Sequence, residues 1–149
     1  MTARARVEAE IAAPAAAVWD IFRWDNLDAA VESGLFADVV YEERRPIPGA
    51  TRIIHLTTGG TVRERLEAYD GDGLGYRYTV LNLDEFPLAE YLGGVSVTPL
   101  GEDRSRLVFA CEFVPRGITA DEWRSLYTAM QQEFMAFARD RLELNDQEK

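Results

Sequence analysis

The stretch Ile118-Thr-Ala-Asp-Glu122-Trp123-Arg-Ser-Leu126-Tyr127-Thr-Ala-Met130-Gln-Gln-Glu-Phe134-Met-Ala-Phe137-Ala138-Arg-Asp-Arg141-Leu142 decides the architecture of this 149-residue chain. Trp123, Leu126, Tyr127, Met130, Phe134, Phe137, Ala138 and Arg141 recur at spacings of three and four, which predicts a helix with one bulky apolar face. Its start is marked by Thr119-Ala-Asp-Glu122, a capping box in which each end of the motif satisfies a backbone N–H of the other. Asp121 and Glu122 lie at the positive end of the helix dipole, and Arg139 and Arg141 are placed toward the negative end. At roughly 1.5 Å per residue the helix spans more than about 30 Å, the width of a small domain. A helix that long with one apolar face requires a large, curved partner surface.

The preceding chain supplies strands. Val7, Ala9 and Ile11 alternate with Arg6, Glu8 and Glu10, as in a strand with one wet face. Pro14 then opens a short helix carrying Val18, Trp19, Ile21 and Phe22, and a second short helix is expected over Asn26 to Glu32, closed by Ser33-Gly34. Strand-like segments follow at Phe36 to Glu43, Thr51 to Thr57, Thr61 to Tyr69, Leu74 to Asn82, Tyr91 to Thr98 and Arg104 to Val114. Short Gly- and Pro-containing links separate them, so neighbours are antiparallel. The expectation is one α+β domain over 1–149, with a seven-stranded curved antiparallel sheet around the long C-terminal helix and a frayed tail from Asn145.

Composition narrows the function classes. A formal net charge of −10 with no basic stripe argues against nucleic acid or an anionic membrane as partner. The only lysine is Lys149, at the terminus, which argues against Schiff-base chemistry. The single cysteine, Cys111, excludes an internal disulfide and fits a reducing compartment. With no 18-residue apolar segment, the reading is cytoplasmic, without membrane insertion. His55 is the sole histidine, so a His-rich zinc site is excluded and neither metal nor cofactor is expected.

The order of elements, Ala13-Pro14 before Val18-Trp19, Pro48-Gly49-Ala-Thr-Arg52, Gly60-Thr-Val-Arg-Glu64-Arg-Leu66, Tyr76-Arg-Tyr78-Thr-Val80, Pro87 to Tyr91 and Phe109-Ala-Cys-Glu-Phe113-Val-Pro115 together resemble the START-like or Bet v 1-like (SRPBCC) superfamily, in its bacterial polyketide cyclase/dehydrase-like branch. The resemblance implies a helix-grip fold whose hydrophobic cavity serves carriers, sensors and cyclases alike. Function must therefore be sought in the lining.

Strand alternation assigns that lining. Val62, Leu66 and Ala68 share a face with Glu64; Tyr76, Tyr78, Val80 and Asn82 share another, turned inward by the place of the paired tyrosines in the resemblance; Leu107, Phe109, Cys111 and Phe113 form a third inner set. The hairpin before Glu64 leaves two registers open. A two-residue Gly59-Gly60 turn sets His55 opposite Glu64, and a loop over Thr58 to Gly60 sets Ile54 opposite it with Arg52 on the diagonal. The apolar content of the strand and the family spacing favour Arg52 inward. Trp24 and Phe86-Pro87-Leu88 are read as mouth or hinge residues, and Cys111 as a small buried hydrophobe.

Three functions follow from that lining. The first is binding of a small hydrophobic molecule, aromatic, polyketide-like or lipid-like, by Arg52, Ile54, Glu64, Tyr76, Tyr78, Asn82, Phe109, Trp123, Tyr127 and Met130. The second is a cyclase or dehydratase in which Glu64 is general acid or base and Arg52 or Tyr78 steadies a developing enolate. Against it stands Glu64 as one half of a structural ion pair with Arg52. The third is a protein-partner module using the outer sheet or a Gly93-Gly94 edge, the chain being a monomer or a homodimer.

Overall fold

The computed structural model describes residues 2–147. Strands β1 (Ala3–Ile11), β2 (Asp38–Tyr41), β3 (Thr51–His55), β4 (Thr61–Asp70), β5 (Gly75–Val80), β6 (Leu88–Pro99) and β7 (Ser105–Pro115) form one antiparallel sheet in the order β1-β7-β6-β5-β4-β3-β2. Helices α1 (Ala15–Phe22) and α2 (Asp28–Glu32) connect β1 to β2, and so carry the chain from one edge of the sheet to the other. Helix α3 (Ala120–Gln147) closes the chain, extending three residues into the segment expected as a tail; the rest of that tail lies outside the described residues. This is the helix-grip architecture expected from the sequence.

Local chemistry explains the boundaries. The capping box forms as its residues require: the Glu122 N–H donates to Thr119 Oγ1 at 3.1 Å and the Thr119 N–H to Glu122 Oε1 at 3.2 Å. Arg139 and Arg141 both fall short of the last turn; the Arg139 guanidinium instead donates to the Glu10 carbonyl, tying α3 to β1. The buried line of α3 is Trp123, Tyr127, Gln131, Met135 and Ala138. Leu126 (56% exposed) and Met130 (39%) lie beside it, so the apolar stripe is rotated from the one the hydrophobic residues alone predict. Helix geometry puts 123, 127, 131 and 135 on one line, and the polar Gln131 is carried inward with them.

Two further expectations are corrected. A bulge between Leu66 and Ala68 shifts the β4–β5 register, so Ala68 turns outward and Tyr69 packs inward against Trp19. Gly93-Gly94 is not an edge: both residues lie in β6, paired to β5 on one side and β7 on the other. Gly93 is there to admit Tyr78, since a Cβ at that position would stand 2.5 Å from the Tyr78 ring.

α3 packs on β1, β7 and α1, and not closely on β3, β4 or β5. The sheet curves away from the helix on that side. The space between them is where the candidate site lies.

Candidate functional site

The β3–β4 hairpin positions the site's charged pair. Its turn is closed by Gly59 N–H donating to the Leu56 carbonyl at 3.0 Å and Leu56 N–H to the Gly60 carbonyl at 2.8 Å, with Gly59 at a left-handed φ of +100°. Pairing then runs His55 with Thr61 and Arg52 directly with Glu64. Neither register left open by the sequence is the observed one, because the left-handed residue is Gly59 and Gly60 belongs to the closing pair. The inward side chain is Arg52, and His55 is only half-buried.

Arg52 and Glu64 are buried, at 3% and 6% exposure. Arg52 donates through Nε to Glu64 Oε1 at 2.9 Å, and its Nη2 makes an ion-pair contact with the same oxygen at 2.7 Å. Its two terminal nitrogens also bind within the protein: Nη1 donates to the Trp24 carbonyl at 2.7 Å and Nη2 to the Tyr76 hydroxyl at 3.4 Å. The guanidinium stacks 4.1 Å from the Trp24 ring. Trp24, expected at a mouth or hinge, is instead fully buried as the lid over Arg52. Tyr41 fixes it there, donating from its hydroxyl to the Trp24 carbonyl at 2.7 Å while accepting from the Leu27 N–H at 3.1 Å. Arg52 thus welds β3 to the loop after α1.

Glu64 is differently placed. Among the described residues its Oε2 takes no hydrogen bond, while Oε1 takes one from Arg52 Nε and lies against Nη2 as well. Burial pushes the Glu64 carboxyl above its ordinary range, against the pull of the Arg52 guanidinium. Burial also disfavours the charged form of Arg52, but Glu64 and the neighbouring tyrosines outweigh it and the guanidinium keeps its charge. The carboxyl, rather than the guanidinium, is therefore the member of the pair able to change its protonation state. A raised native value means the unfolded chain ionises first, so this group's contribution to stability falls as pH rises from the unfolded carboxylate range to the raised native value. Urea unfolding of wild type and Glu64→Gln between pH 4 and 8 should show the wild type losing ground to the variant as pH rises; the opposite slope would mean that Arg52 holds the carboxyl low.

The tyrosines divide. Tyr76 is buried and donates to the Phe22 carbonyl at 2.8 Å, so its hydroxyl is committed to the protein. The Tyr78 hydroxyl meets that of Tyr91 at 3.2 Å, and burial raises both phenols. Asn82 lies apart from this cluster: its Oδ1 accepts from the Arg63 N–H and its Nδ2 donates to the Thr61 carbonyl, both at 2.9 Å, pinning the β5 end to β4. Tyr127 packs with Trp123 and beside Cys111, whose thiol burial pushes up to about 11.

Two adjoining lobes of empty space separate β3–β5 from α3. The outer, about 120 Å³, is walled by apolar side chains including Ile54, Leu56, Val80, Phe86 and Trp123, with Met130 at its exposed rim. The inner, about 60 Å³, reaches Phe22, Arg52, Tyr76 and Phe109. Glu64, Tyr78, Gln131 and Phe134 border both. Of the ten residues expected to bind the ligand, Asn82 and Tyr127 border neither lobe, nor do Leu66, Ala68, Leu107, Cys111 and Phe113 from the expected inner faces. Trp24 was given another place, and Tyr41 and Gln131 were not foreseen; of these two only Gln131 carried a usable signal, its four-residue step from Tyr127. Among the described residues no group of three potential metal-ligating side chains occurs, and no helix is long and apolar enough to cross a membrane.

Residues 2–143 match the model of a family described as polyketide cyclase / dehydrase and lipid transport. The chain belongs to this family. Solved structures give the same fold for this polyketide cyclase/dehydrase-family chain. An uncharacterized protein from Bacillus thuringiensis is 19% identical with a TM-score of 0.80, covering 93% of this chain and 98% of its own. XoxI from Bacillus cereus is 19% identical with a TM-score of 0.81, covering 94% and 95%. Truncated norcoclaurine synthase from Thalictrum flavum is 17% identical with a TM-score of 0.72, covering 95% and 92%. Against curated protein sequences the chain has no significant match.

Proposed function

We propose that this family member binds a small, largely apolar molecule in the space between β3–β5 and α3, as a cytoplasmic protein acting on a diffusing ligand. The observation that carries the reading is the stand-off of α3 from that half of the sheet, which leaves apolar walls around a few polar groups. Magnitude sharpens the ligand. An apolar cavity of about 150 Å³ admits benzene, so an outer lobe of about 120 Å³ suits one ring or a slim chain. A polycyclic ligand requires α3 or the Phe86 loop to move outward.

A second reading, acid–base catalysis on such a ligand, draws on Glu64: its Oε2 is free while Arg52 holds Oε1. Glu64 would pass the proton and Tyr78 would steady the oxygen that gains charge. Titration calorimetry with toluene, ethylbenzene and naphthalene tests the binding reading. Saturable binding of the single-ring compounds, with naphthalene weaker, is expected; no heat of binding by any of them would overturn it. Glu64→Gln in a turnover assay separates the two readings, because pure binding predicts no rate to lose.

A further inference from the structure

Gln131 is the one polar residue on the buried line of α3, 5% exposed, and it borders both lobes of the space. Among the described residues neither its amide oxygen nor its amide nitrogen has a hydrogen-bond partner. The amide atoms are not sealed into the core but open onto that space, where water or a ligand can meet them. Across the same space Glu64 has, among the described residues, no partner for Oε2, while Oε1 is held by Arg52 and each guanidinium nitrogen of Arg52 is bound within the protein. The two unmatched groups face one cavity from opposite walls.

We propose that Gln131 and Glu64 together select an uncharged single-ring ligand bearing a hydrogen-bond donor beside an acceptor, of the aryl carboxamide or lactam kind. The inference rests on the binding reading above. The ligand's carbonyl accepts from the Gln131 amide nitrogen and its N–H donates to Glu64 Oε2 or to the Gln131 amide oxygen, so each wall is satisfied by one ligand edge. An anion is disfavoured beside Glu64 in a protein of net charge −10. A cation gains little, because Arg52 already neutralises the carboxylate. A ligand without polar atoms displaces water from Gln131 and returns no hydrogen bond.

The test compares toluene, benzamide, acetophenone and benzoate by calorimetry on wild type and on Gln131→Met. Expected in wild type at pH 7 is benzamide binding at least as tightly as acetophenone despite its costlier dehydration, with benzoate weaker than benzamide. In Gln131→Met the ratio of benzamide to toluene affinity should drop about tenfold, one net hydrogen bond. An unchanged ratio, or tighter wild-type binding of acetophenone or benzoate than of benzamide, overturns this proposal while leaving the binding reading intact. Failure of every probe to bind wild type removes the binding reading itself. If Gln131→Met does not fold, the four wild-type affinities decide alone.

Discussion

Arg52→Ala should destabilise the protein by about 3–5 kcal/mol, the cost of removing one partner from a buried ion pair. The figure follows from what the guanidinium holds: the Glu64 carboxylate through Oε1, the Trp24 carbonyl, and the face of the Trp24 ring. At about 2–4 °C per kcal/mol for a chain of this size, the melting temperature should fall on the order of 10 °C. The paired replacement Arg52→Met with Glu64→Leu should recover most of that loss, because apolar residues of similar volume leave no uncompensated charge. Equilibrium urea unfolding of the three proteins checks both statements. A loss under about 1 kcal/mol for Arg52→Ala would mean that the pair is not the buried contact described.

Trp24→Ala should cost a comparable amount, about 3–5 kcal/mol, as for other large aromatic truncations in a core. Trp24 is fully buried, meets Tyr76 edge-on with ring centroids 6.1 Å apart, and covers Arg52. Trp24→Phe should cost well under that, for two reasons. A phenyl ring preserves a face for the guanidinium, and the indole Nε1 has no hydrogen-bond partner to lose. The Ala substitution also strips the lid from Arg52, so its effect combined with Arg52→Ala should be less than additive. Strict additivity of Trp24→Ala and Arg52→Ala in urea unfolding would contradict the stacked arrangement.

The sequence made the architecture readable because its strongest signals are local. The Thr119–Glu122 capping box, the three-and-four spacing of the last helix and the strand alternation each act within a few residues, and the structure reproduces the elements they imply. The choice of Arg52 as the inward residue of β3 also agrees with the structure. What was not legible depends on contacts far apart in the chain. The hairpin register turned on which glycine adopts the left-handed conformation, and alternation is blind to that. The bulge after Leu66 sent Ala68 outward, reversing a face that strict period-two reading assigns inward.

The site shows the same division. Glu64 stood out as one carboxylate on an apolar strand face, a two-residue pattern. Trp24 reaches Arg52 from 28 residues away, where no spacing rule connects them, and Tyr41, the partner of Arg52 across β2 and β3, holds the Trp24 carbonyl from a strand whose pairing the sequence did not specify. Asn82 shares a strand parity with Tyr76 and Tyr78 yet lies past the end of β5, where its amide serves the backbone of β4. Gln131 was hidden by its polarity: a reading that sorts residues by hydropathy assigns a glutamine to the wet face, although helix geometry places it four residues from Tyr127 on the dry one.

The most direct test of the binding account is a toluene titration of isotopically labelled protein followed by two-dimensional NMR. Saturable shifts are predicted for the methyl groups of Ile54, Leu56, Val62 and Val80 and for the Gln131 side-chain amide, which wall the two lobes. The signals of Gly94, Val108 and Ala110, on the opposite face of the sheet, should stay in place. No saturable shift up to the solubility limit, or shifts confined to that opposite face, would contradict it.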